Sequence, residues 1–148
     1  MRASQWVPKP AIASLLSALC LSLIACSGIG SDPRAGLSCL DDSEECVERR
    51  QVTLKSYLAD GDRSWINEPA TAEAHASGVR LFAFRSRKKE LSCEELLRGR
   101  READSVAKSL HGPDGKAFSP TLIARATMLA SEVSKELGAE MRARRCKA

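Results

Sequence analysis

The chain has no apolar run long enough to cross a bilayer. A spanning helix needs about 20 consecutive apolar residues. The stretch from Ala11 to Ala25 has 15 and is interrupted by Ser14, Ser17 and Ser22. Histidine is nearly absent: His75 and His111 are the only two, and neither lies in a metal-spaced cluster. The Cys-x2-Cys spacing that favours zinc is missing, as are a Gly-x-Ser-x-Gly elbow and a Gly-rich phosphate loop. Asp60, Asp62 and Ser64 open like a calcium loop, but the sixth position is Trp65 rather than Gly and the twelfth is Thr71 rather than Glu. The carboxylates fall mostly on expected helix faces and caps, where ion pairing and solubility account for them. No catalytic residue, metal ligand or cofactor is expected.

What is present begins with an N-terminal pattern. Arg2 and Lys9 precede the apolar stretch, and a small residue, Ala25, closes it ahead of Cys26. A basic start, a short apolar core and a small-residue end make a secretory signal. Leu23-Ile24-Ala25-Cys26 resembles the lipobox of bacterial lipoproteins. That resemblance implies cleavage before Cys26, lipidation of Cys26, and a domain held at the membrane through its N-terminal lipid. In the same class Ser after the cysteine, here Ser27, implies sorting to the outer membrane. Cys20 fits less well, because Ser17 stands where the leucine should be. Plain secretion after cleavage is the rival expectation. Residues 1–25 are thus expected to be the signal peptide. Residues 26–38, with Gly28, Gly30, Pro33 and Gly36, are expected to be the lipidated N-terminus and flexible tether, and residues 39–148 the helical, periplasm-facing domain.

Cleavage would leave one small domain, large enough for a single core. Its balance would be 21 basic against 19 acidic residues. A near-neutral domain is not the profile of a general nucleic-acid binder. The charge is uneven, however: residues 26–78 carry 5 basic and 10 acidic side chains, and residues 79–148 carry 16 and 9. Attraction between the two halves explains this. A basic face turned toward anionic lipid or cell-wall polymer is the alternative.

Four cysteines remain in the expected domain: Cys39, Cys46, Cys93 and Cys146. In an exported chain an even number suggests two disulfides, with three possible connectivities. Cys39 with Cys46 and Cys93 with Cys146 is the preferred pairing. The first pair is close in sequence, and the second would tie the start of one helix to the end of the next.

The patterning predicts an all-α, small four-helix bundle-like domain stapled by those disulfides. The first helix is expected from about Asp42 to Leu58, capped by Asp42 and Glu45, with Val47, Leu54 and Leu58 as its stripe. The second is expected from Pro69 to Phe84, although Val79–Phe84 also reads as a short strand. The third opens with a capping box, Ser92 and Glu95, and a staple, Leu91 and Leu96. Leu96, Ala103, Val106, Ala107 and Leu110 follow on one face. The fourth opens at Ser119-Pro120 and carries Leu122, Ala126, Leu129, Val133, Leu137 and Met141. A short turn, 111–115, makes the last two an antiparallel hairpin. Trp65 is expected to plug the core, with an exposed anchor for a partner as the alternative.

Two short stretches resemble envelope proteins. Arg50-Gln51-Val52 followed by Tyr57-Leu58 is similar to a motif near the lipidated end of the C subunit of the β-barrel assembly machine, with a different gap. Arg101 through Leu110 is similar to a helix of peptidoglycan-binding OmpA-like domains, without the strands that surround it there. Together these observations lead to the expectation of a non-enzymatic structural or interaction role in the cell envelope. The expected partners are the membrane, an envelope protein or peptidoglycan. The alternative is an envelope enzyme or enzyme inhibitor.

Overall fold

The computed structural model describes residues 32–147. Cys26 and the signal pattern lie outside the described residues. The described residues are all-helical, with no strand among them. Their helices are α1 (Glu44–Ala59), α2 (Ala72–Ser77), α3 (Val79–Arg87), α4 (Cys93–Leu110) and α5 (Pro120–Ala143). Short 3-10 turns at Ala35–Leu37, Ser64–Asn67 and Pro113–Gly115 complete the order.

The starts of α4 and α5 are where local chemistry places them. Ser92 Oγ accepts from the Glu95 amide at 3.2 Å, and the Glu95 carboxylate accepts from the Ser92 amide at 2.7 Å. This reciprocal pair satisfies two of the amides that a helix start leaves open. Leu91 and Leu96 are both buried beneath it. Ser119 Oγ accepts from the Leu122 amide at 3.2 Å, and Pro120 takes the first helical position, where its missing N–H is no loss.

Expectations for three of the helices are corrected. The cap of α1 is Ser43, not Asp42: Ser43 Oγ accepts from the Cys46 amide at 3.3 Å, while the Asp41 carboxylate accepts from the Ser43 amide at 2.9 Å. The buried line of α1 is Cys46, Thr53 and Tyr57, so the expected stripe of Val47, Leu54 and Leu58 lies one position round the helix. The second expected helix is two helices. Pro69 precedes α2, Thr71 caps it, and Gly78 at φ 73° breaks the chain before α3. Only glycine adopts that conformation without penalty, and a Cβ there would also stand 2.9 Å from Leu129 Cδ2. After this break Val79–Phe84 is helix rather than strand. The third correction is in α5, where Ala130 is buried and Leu129 only half-buried.

α4 and α5 form the antiparallel hairpin that their short connection demands. Asp104 meets Ser134 at 2.6 Å, and Cys93 at the start of α4 is bonded to Cys146 just past α5. α2 and α3 pack on this hairpin, and α1 packs on α3, with the Ala35–Leu37 turn against both α1 and α2. Trp65, Phe84, Leu81, Leu91, Leu96, Leu110 and Leu137 are the largest fully buried apolar side chains. Arg144, at the basic end of α5, does more than complement its own helix dipole. It donates to the carbonyls of Leu91 at 2.7 Å, Lys88 at 3.0 Å and Lys89 at 2.5 Å, tying the end of α5 to the connection between α3 and α4.

Candidate functional site

The four cysteines are brought together in the preferred pairs. Cys39 and Cys46 have their Cα atoms 5.2 Å apart, and Cys93 and Cys146 are 5.5 Å apart. Both distances are typical of a disulfide. The first bridge closes the loop that leads into α1, and Arg50 braces that loop by donating to the carbonyls of Cys39 at 3.0 Å and Asp41 at 2.6 Å.

A buried polar cluster lies where α2, α3 and α4 meet the Trp65 turn. At its centre is Arg80, 2% exposed. Its guanidinium makes a two-point ion pair with Glu102 at 2.7 and 2.6 Å, and donates to the carbonyls of Trp65 at 2.7 Å and Glu68 at 3.1 Å. Four bonds leave little of its donor capacity unused, which is what a buried guanidinium requires. The same group stands 5.7 Å from the Trp65 ring centre. Trp65 is stacked on Tyr57 at 5.0 Å and meets Phe84 edge-on at 4.7 Å. Trp65 is therefore the expected core plug, and it also supplies a carbonyl to the ion pair.

Next to this pair His75 is buried, and neither of its ring nitrogens has a hydrogen-bond partner. Burial pushes its pKa below the usual value; Glu102 opposes this shift and Arg80 adds to it. Burial likewise raises the Tyr57 hydroxyl, whose oxygen also has no partner. Sequence reading missed this cluster because its members lie as much as 45 residues apart (Tyr57 to Glu102). Arg80 inside an otherwise apolar run was the one available signal.

The cluster fixes α3, and α3 presents an apolar groove to the outside. Val79 and Phe82 of α3 face Val47, Gln51 and Leu54 of α1 across a groove of about 230 Å³, with Arg50 and Ser77 on its edge. Phe82 is 43% exposed and Leu58, further along α1, is 38% exposed. Of the expected stripe of α1, Val47 and Leu54 line this groove, and Leu58 does not. An apolar floor with a polar rim suits the capture of an apolar side chain. His111 is exposed and lies beside Ile123 and Met128 at the start of α5. Among the described residues there is no group of three or more side chains placed to hold a metal ion, and no helix long and apolar enough to cross a membrane. Asp42 of the net-acidic half pairs with Arg125 of the net-basic half at 2.9 Å, and Arg63 pairs with Glu95 at 2.8 Å in the opposite sense. No family model, curated protein or solved structure matches the chain.

Proposed function

We propose that this chain is an exported lipoprotein of the bacterial outer membrane, anchored through Cys26 and facing the periplasm, with a non-enzymatic interaction role in the envelope. The observation that carries the reading is Leu23-Ile24-Ala25-Cys26 at the end of a short apolar stretch with a basic start. Two disulfides among the described residues support it, since such bonds persist in oxidising compartments and are rare in the cytosol. The lipoprotein class carries more than one acyl chain, which is what long-lived anchoring needs. The groove between α1 and α3, with Phe82 at its edge, supports an interaction role. An exposed aromatic side chain beside a depression is a usual anchor point for a partner protein.

The test is a Cys26→Ser variant compared with wild type in cells fed a radioactive fatty acid. Label on the wild-type chain and none on the variant is the expected result. Equal label on both would overturn the anchoring.

A further inference from the structure

α2 is the shortest of the five α-helices described, and little apolar area holds it down. Its buried residues are Ala72, Ala74, His75 and Ala76. The hold of a buried side chain follows the apolar area it removes from water, and an alanine methyl removes little. The one large group on this buried side is the His75 imidazole, 5% exposed and without a hydrogen-bond partner on either nitrogen. α2 is also free to move by itself. Gly78, at φ 73°, separates it from α3, and an irregular segment, 68–71, precedes it. α3 need not follow, because Arg80 ties it to Glu102 and to the carbonyls of Trp65 and Glu68.

The surroundings of His75 suit a neutral ring and not a charged one. α4 faces it with Glu102 and α3 with Arg80. Both Glu102 oxygens are taken by Arg80, at 2.7 and 2.6 Å, and the guanidinium repels a second cation. α5 and the Ala35–Leu37 turn also pack on α2. The turn has no titratable side chain. On α5 the side chain beside Gly78 is Leu129, and the charges that flank it, Arg125 and Glu132, pair with Asp42 and Arg85. On α2 itself Glu73 is exposed, and the Ser77 hydroxyl already donates to the Ala74 carbonyl at 3.0 Å and accepts from the Val79 amide at 3.4 Å. A protonated imidazole carries two N–H donors and would find no acceptor here. Burial lowers its pKa, with Glu102 opposing and Arg80 adding to the shift, so the ring stays neutral at pH 7. In acid it can hold a proton only by reaching water.

We propose that α2 is an acid-released strap: protonation of His75 swings Ala72–Ser77 out into water about Gly78 while α1, α3, α4 and α5 keep their packing. The proton comes from water, and release hydrates the imidazolium without stranding Arg80 or Glu102. Below the ordinary imidazole value of about 6.5, each pH unit favours the released form by up to about tenfold. Ser77, on the edge of the groove between α1 and α3, moves with the strap, so acid reshapes that groove. That the groove receives a partner rests on the reading above; the release of α2 does not.

The test is amide hydrogen exchange of the full chain by NMR at pH 7.5 and 5.0, with rates corrected for the intrinsic effect of pH. The reporters are the His75 and Gly78 amides, bonded to the Thr71 and His75 carbonyls at 3.0 and 3.3 Å. Their protection should fall at least about tenfold between the two pH values, and at pH 5.0 should stand at least about tenfold below that of α4 and α5. In His75→Phe the protection of α2 should be the same at both pH values. In the wild type the His75 ring signals should titrate with the same midpoint as the loss. Protection of α2 that does not change with pH overturns the proposal. So does equal protection of α2, α4 and α5 at pH 5.0, since His75 would then be reached only by unfolding of the whole chain. An unchanged loss in His75→Phe, or a His75 ring that titrates while α2 stays protected, overturns it as well.

Discussion

The ring of Phe84 lies on the backbone of Gly99, so close that a Cβ on Gly99 would stand 2.5 Å from Cδ1 and 2.8 Å from Cε1. Phe84 is itself fully buried and meets Trp65 edge-on, so it has no space to withdraw into. The approach of α3 to α4 is set by this contact. Gly99→Ala should therefore destabilise the fold by about 1–3 kcal/mol through overpacking, against the sign that helix propensity alone would give. Gly138→Ala, with 3.5 Å of clearance, should be neutral or stabilising. Urea unfolding of the two variants checks the pair, and equal effects would show that Phe84 yields.

Glu102 holds Arg80 inside the protein by two bonds, at 2.7 and 2.6 Å. Removing one partner of a buried pair leaves an uncompensated charge, which typically costs about 3–5 kcal/mol. Glu102→Ala should fall in that range by chemical denaturation. Arg80→Met combined with Glu102→Leu should lose less than the two single losses added, because neither charge is then stranded.

His75 makes stability depend on acid. Its pKa is lowered in the folded chain by burial, with Arg80 reinforcing and Glu102 opposing the shift. Unfolded, the same imidazole titrates near its ordinary value of about 6.5. Below that pH the unfolded chain takes up a proton that the folded chain refuses. Stability is therefore fully present above about pH 6.5 and falls as the pH drops toward the lowered folded value, at up to about 1.4 kcal/mol per pH unit for this one group. Unfolding curves from pH 7.5 to 5 should show that slope in the wild type and a reduced slope in His75→Phe. The carboxylates Glu95 and Glu136, whose pKa values are lowered, add their own loss at more acidic pH.

The two disulfides differ in the loop they close. Cys93 and Cys146 are 53 positions apart and Cys39 and Cys46 only 7. By loop-closure entropy the long bridge stabilises by about 4 kcal/mol and the short one by about 2 kcal/mol. Replacing both members of each pair by alanine and measuring unfolding should give that order. A larger loss from the short pair would mean that native contacts at the start of α1, rather than chain entropy, dominate.

The starts of α4 and α5 were legible because local residues supply each cap. Ser92 with Glu95, and Ser119 with Pro120, act within three positions, and no distant contact competes with them. At α1 two adjacent residues, Asp42 and Ser43, each had a side chain able to cap. The choice fell to Ser43 because Asp41 accepts from its amide and hydroxyl, while Asp42 is drawn off to Arg125. In α5, Leu129 and Ala130 both fit a stripe of three- and four-residue steps. The close α4–α5 contact took the smaller residue, and Leu129 turned toward Gly78 and Phe82. The polar cluster around Arg80 was not legible, since a charged residue in an apolar run reads as a solvent-facing one until its partners are known.

By itself the sequence determined the helical class, the starts of α4 and α5, and the hairpin; the cysteine pairing was a preference among three that the fold decided. The first three depend on bonds between near neighbours, on apolar periodicity and on a short connection that leaves few alternatives. Only the tertiary structure decided the break at Gly78, the burial of Arg80 against Glu102, the isolation of His75 and the outward turn of Val47 and Leu54. Each of these depends on which distant side chain fills the space alongside. A charge or a glycine is tolerated at such a place only when the partner that neutralises it, or the ring that needs its missing methyl, arrives from elsewhere in the chain.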